Sequence, residues 1–117
     1  MPGRIIKNPA ALASSDLGAP AQVPLPIGDT ISAVRTKSIT DAKQEEVASG
    51  IWECTPGVWR RTIVGAEFAH FLQGRCTFEG DDGQVLHFAA GDSVLFEPNS
   101  LGKWTIHETT RKVFVVF

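Results

Sequence analysis

The stretch Glu67-Phe-Ala-His-Phe-Leu-Gln-Gly74, with its downstream counterpart Gly91-Asp-Ser-Val-Leu-Phe-Glu-Pro98, decides the fold. Each reads as a short strand closed by a turn former. Successive strand side chains point to opposite faces, so Glu67, Ala69 and Phe71 share one side and Phe68, His70 and Leu72 the other. Both sides are largely apolar. The strand should therefore be covered twice, by a barrel interior on one side and by a second sheet or a partner subunit on the other.

Outward from this stretch the same texture continues. Runs expected as strands are Ile51–Cys54, Val58–Ile63, Glu67–Leu72, Arg75–Glu79, Gln84–Phe88, Ser93–Glu97, Lys103–Glu108 and Lys112–Phe117, with glycine, proline or acidic turns between them. Gly80-Asp-Asp-Gly83 is a hairpin signature, because glycine supplies the positive φ that tight turns need. No helix-length periodic segment intervenes. That excludes βαβ units and predicts an antiparallel all-β sandwich or barrel of about 8–10 strands.

Upstream the chain differs. Pro2, Pro9, Pro20, Pro24 and Pro26 crowd the first thirty residues, and proline lacks an amide donor. Residues 1–40 are read as an extended arm packing on the barrel or a partner subunit, with a helical turn near Ala10–Ser15 and an edge strand in Thr30–Ser38. Residues 41–117 are read as the barrel domain, entered through a polar turn or short helical piece in Ser38–Ala48.

The totals narrow the function classes. A chain of 117 residues makes one core. With 11 basic and 13 acidic residues and no basic stripe beyond Arg60-Arg61, neither nucleic acid nor an anionic membrane is an expected partner. Cys54 and Cys76 have no CxxC spacing and read as small buried apolar side chains in a reducing compartment. No run has the length of a membrane span, and Pro9, Asp16 and Pro20 interrupt any signal-peptide core, so a cytoplasmic location is expected.

Arg60 and Arg61 fall on opposite faces of one strand, so one points inward, and the sequence leaves open which. Glu67, on the interior face, must be paired or have a shifted pKa; it is either a structural ion-pair partner of an arginine or a general base or polar anchor. His70, His87 and His107 read as surface or interface residues. Trp52 and Trp59 read as packing residues.

Taken in order, Gly50-Ile-Trp-Glu-Cys-Thr-Pro-Gly57, Glu67 to Gly74, Phe88-Ala-Ala-Gly-Asp92, Phe96-Glu-Pro98, Gly102-Lys-Trp104 and Glu108-Thr-Thr-Arg-Lys112 resemble the cupin superfamily. The likeness is to small single-domain cupins related to the ureidoglycine aminohydrolase domain. The resemblance implies a jelly-roll barrel and, in most cupins, a divalent transition metal held by imidazoles and a carboxylate. Glu67 and Gly74 keep the spacing of the first cupin motif, but Arg60 to Ile63 stand where its histidines fall, and Lys103 stands near the histidine of the second. A full metal site is therefore not expected; Glu67 would be its one donor if a metal were present.

The resemblance adds Phe96, Lys103, Trp104 and Lys112 to Arg60, Arg61 and Glu67 as ligand-binding candidates, with Glu67 the catalytic candidate. Trp104 is either core packing or a stacking wall at the pocket mouth, and Lys112 a partner for an acid such as Glu53 or a pocket-rim group. Three functions follow as expectations: a small-molecule binder for a polar, anionic metabolite; a metal-dependent aminohydrolase-type enzyme acting on a ureido or amide compound; or a non-catalytic structural or regulatory dimer. A homodimer is expected in each case, since an apolar strand face needs cover.

Overall fold

The computed structural model describes residues 3–39 and 47–117. The expected turn or helical piece in Ser38–Ala48 lies mostly outside those residues. Among them there are nine strands and two 3₁₀ turns, Pro9–Ala11 and Ser14–Leu17, and no α-helix. The strands are β1 (Ala21–Gln22), β2 (Pro26–Ile27), β3 (Ala33–Ser38), β4 (Ala48–Cys54), β5 (Gly57–Arg61), β6 (Glu67–Gly80), β7 (Val85–Ala89), β8 (Ser93–Phe96) and β9 (Gly102–Val116).

Every pairing is antiparallel, and two long strands carry the sheet. β6 and β9 run side by side from Glu67↔Val116 to Gly80↔Gly102. Along the other edge of β9 lie β5 and then β4; along the other edge of β6 lie β8 and then β7. The sheet curls around one aromatic core of Trp52, Phe71, Phe78, Phe88, Phe96 and Trp104 with Cys54, Cys76 and Ile106.

The sequence breaks each long strand in two, and the structure does not. Gly74 sits inside β6 at a run of register shifts between Phe71 and Cys76. An irregularity of this kind bends a strand without ending it, so one strand can serve both walls. Gly74 adopts φ +88°, and a Cβ there would lie 2.3 Å from the Thr109 carbonyl oxygen. The Gly80–Gly83 hairpin forms as expected, with Gly83 N–H donating to the Gly80 carbonyl at 2.9 Å.

The faces of the organising strand also follow the alternation. Glu67, Ala69 and Phe71 are buried, but the opposite face is covered only in part, with Phe68 47% exposed. Within this chain the double cover is incomplete.

The arm lies against the outer face of β3, β4 and β6. Leu17 is fully buried there, and the Arg111 guanidinium donates to the carbonyls of Pro9, Ala10 and Leu12 at 3.0, 3.2 and 2.6 Å. Glu53 accepts from Arg111 Nε at 3.0 Å and from Ser14 at 2.8 Å. Backbone carbonyls that a 3₁₀ turn leaves unsatisfied thus find a cation held by the sheet.

Gly74→Ala should lower the unfolding free energy by roughly 2–4 kcal/mol, combining a left-handed φ with a backbone clash. Gly83→Ala, with φ +92° but open space around the new methyl, should cost about 1 kcal/mol from the φ alone. Urea titrations of the two variants against the native chain read the difference directly.

Candidate functional site

The site grows from strand alternation. On β5, Gly57, Trp59 and Arg61 share the interior side, so Arg61 points in and Arg60 out. Arg61 is 1% exposed, while Arg60 reaches outward to Asp81, with Nη1 donating to Oδ1 at 2.8 Å. On β9 the same rule separates Arg111, which faces the arm, from Lys112, which faces the interior. β6 brings Glu67 between the two inward cations.

Glu67 is 1% exposed and its two oxygens are divided between them. Arg61 Nη2 donates to Oε1 at 2.9 Å and Lys112 Nζ to Oε2 at 2.8 Å. Burial opposes ionisation of this carboxyl. The charge and hydrogen bond of Lys112, followed by those of Arg61, outweigh burial and hold its pKa below the ordinary value. The expectation that Lys112 pairs with an acid holds, but its partner is Glu67. Glu53 lies on the opposite face and belongs to Arg111.

Aromatic faces complete the surroundings. The Arg61 guanidinium carbon lies 4.2 Å from the Phe96 ring centroid. Lys112 Nζ lies 4.4 Å from Trp52, 5.4 Å from Trp104 and 6.0 Å from Phe71. Ring quadrupoles favour a cation in such a position. Arg61 Nη1 donates to the carbonyls of Ile63 and Ser100 at 3.3 and 2.7 Å, so one side chain ties the 62–66 and 97–101 connections together. Among the described residues its buried Nε–H has no hydrogen-bond partner.

Of the residues expected from the sequence, the structure gathers Arg61, Glu67, Phe96, Trp104 and Lys112. Arg60 and Lys103 are not with them. Lys103 pairs with Glu79 at 3.0 Å on the outer face, because Gly102, Trp104 and Ile106 take the inward positions of β9. Trp104 is 1% exposed and edges against Phe78 and Phe96, so it is a core residue and not a wall at the mouth. Trp52 and Phe71 were missed as neighbours of the site. The register Trp52↔Lys112↔Phe71 across β4, β9 and β6 places them, and only strand order reveals it. Both thiols are buried and unbridged, and burial pushes each pKa up to about 11, which leaves them unreactive.

The donor set does not fit the transition metal usual in cupins. Glu67 is one carboxylate with two cations in hydrogen-bonding contact, and among the described residues no three His, Cys, Asp or Glu side chains converge. Among the same residues no helix is long and apolar enough to cross a membrane.

Comparison with known proteins agrees with this architecture. The EutQ-like cupin domain family matches residues 42–114. The EutQ protein of Clostridium difficile superposes with a TM-score of 0.65 at 16% identity, over 74% of this chain and 68% of that one. A protein of unknown function in the DUF861 family from Pseudomonas syringae gives 0.71 at 22% identity, over 86% of this chain and 43% of that one, so this chain spans less than half its length. A DUF861 family protein from Thermotoga maritima gives 0.57 at 24% identity, over 72% and 99%. At these identities the likeness shows the fold, an all-β cupin jelly roll as the sequence predicts. No curated protein matches the sequence.

Because the folded pKa of Glu67 is depressed, its ionisation stabilises the native state above the ordinary carboxyl range of about 4.3, and that stability is lost as pH falls through the folded value. Glu67→Gln should remove this part of the acid dependence and cost about 3–5 kcal/mol at pH 7, since two buried cations then face a neutral amide. Lys112→Met should cost less, because Arg61 and Glu67 remain matched. Chemical denaturation from pH 3 to 8 on the three proteins checks both the slope and the order.

Proposed function

We propose that this chain, which belongs to the EutQ-like cupin family, binds a small anionic metabolite inside its barrel at Arg61 and Lys112. The observation that carries the reading is charge imbalance: two buried cations share one carboxylate, and among the described residues the Arg61 Nε–H has no partner. An unmatched positive charge away from water is costly, and a carboxylate or phosphate oxygen brought to it would relieve that cost. Arginine's planar fork suits such a group. Entry requires Arg61 to exchange its carbonyl contacts at Ile63 and Ser100 for the ligand.

Two other readings rank below this one. The aromatic faces around Lys112 favour a self-filled barrel, in which the ammonium occupies the interior and the protein serves as a structural or regulatory unit. An aminohydrolase-type reaction on a ureido or amide compound draws on the narrower sequence likeness. Glu67 would be its base, yet a carboxyl held below its ordinary pKa is a weaker base for that task. The same scaffold hosts many chemistries, so the fold does not choose among the three.

We also propose that the chain pairs with a second copy. Phe68 and Leu95 are cross-strand neighbours on the outer face, 47% and 59% exposed, with Val115 on the other side of Phe68. Sedimentation velocity should give a dimer, and Phe68→Lys should shift it to monomer with the fold intact.

Thermal unfolding against a panel of small carboxylates and phosphates tests the binding reading, since a ligand at a hundred times its Kd stabilises by about 2.7 kcal/mol. At least one anion should raise Tm in the native chain and in Arg60→Ala and Lys103→Ala, but not in Arg61→Lys. Stabilisation that survives Arg61→Lys, or a panel without effect, leaves the self-filled barrel as the better description.

A further inference from the structure

A second cluster lies on the outer face, apart from both the barrel interior and the arm. Thr77 on β6 is opposite His87 on β7 and opposite Thr105 on β9, with His107 two residues farther along the same strand face. Thr77 Oγ1 lies 3.0 Å from His87 Nδ1 and 2.9 Å from His107 Nε2. The two ring nitrogens therefore aim at one point and are no more than about 6 Å apart. Taken one at a time, each histidine is an ordinary surface residue. Their convergence comes from the strand order β7–β6–β9, which the sequence does not display.

The chemistry of that point is specific. A hydroxyl has one proton, so it can donate to one ring while the other ring donates to it. The three groups thus satisfy one another, and a cation seated above Thr77 would replace both bonds. Both imidazoles can then present a lone pair to it and keep their protonated nitrogens on the far side, in water. The surrounding charge permits this. On one side Arg75 faces Glu108 at 3.9 Å and on the other Lys103 faces Glu79 at 3.0 Å, so each pair is balanced.

We propose that His87 and His107 form a two-imidazole site for a divalent transition metal of the zinc, nickel or copper class, seated over Thr77. Imidazole is a favoured ligand for these ions, and the rigid central strand fixes the separation of its two carriers. Among the described residues no third His, Cys, Asp or Glu converges here, so water fills the remaining positions and the site stays open to an outside ligand. An open two-histidine site binds more weakly than a closed four-ligand one.

Equilibrium dialysis of tag-free protein against zinc chloride, repeated with nickel and copper, tests the assignment. The native chain should take up about one equivalent of zinc. His87→Ala and His107→Ala should each weaken uptake at least about tenfold, and His70→Ala, which removes the histidine bonded to Ser93 elsewhere on the sheet, should leave it unchanged. Zinc should shift the ring proton resonances of His87 and His107 and not those of His70. Because all three histidines are at the surface, circular dichroism should show each variant folded. The site is refuted if zinc uptake survives the His87→Ala/His107→Ala double variant, if His70→Ala abolishes it, or if the native chain binds no more than the double variant.

Discussion

The interior is organised around an ionised carboxylate in a place water does not reach. Glu67 is held by Arg61 at 2.9 Å and Lys112 at 2.8 Å, the first six residues away on the preceding strand and the second 45 residues away. β5 must deliver one cation, β9 the other, and β6 the acid between them. A one-residue slip in any of these strands turns its charge outward and leaves the others unmatched in the core. The cluster therefore specifies register, while contributing little net stability of its own against the desolvation of three charges.

Alternation sorts two pairs of adjacent cations by the same rule. Arg60 and Arg61 part to opposite sides of β5, and Arg111 and Lys112 to opposite sides of β9. In each pair one member joins Glu67. The other two differ. Arg60 meets Asp81 at an exposed position, a contact worth little in water, whereas Arg111 is buried with Glu53 beneath the arm. Covering the outer face of β4 with residues 9–17 is what removes that second ion pair from solvent.

Much of this was legible in the residues. The strand runs, the hairpin at Gly80–Gly83 and the inward direction of Glu67 followed from period two and turn chemistry. Gly74 was misread as a strand end, because glycine marks both a turn and a bulge and only the pairing partner tells them apart. The choice between Arg60 and Arg61 was left open because two adjacent like residues carry no pattern. Trp52, Phe71 and the His87–His107 convergence were hidden for a different reason. They depend on which strands lie side by side, and here β9 touches β4, β5 and β6, none of which is its neighbour in the chain.

The two buried ion clusters make an internal comparison. Arg111 faces one carboxylate and three arm carbonyls, and Glu53 accepts from Ser14 as well. Burial alone would raise the Glu53 pKa, and Arg111 and Ser14 more than reverse it. A second cation, Arg35, stands across from Glu53 on β3 and adds to the lowering, but it is only half-buried and donates to the Gly18 carbonyl at 2.7 Å. The Glu67 cluster has two cations in hydrogen-bonding contact with one anion, and among the described residues one of its donors, Arg61 Nε, is unpartnered. Each cluster takes one cation from β9, and Glu53 is the more exposed of the two acids, at 8% against 1% for Glu67. What separates them is that both cations at Glu67 are buried, whereas Arg35 beside Glu53 is partly in water. A second cation held out of water beside a single acid is the feature on which the proposed anion site rests.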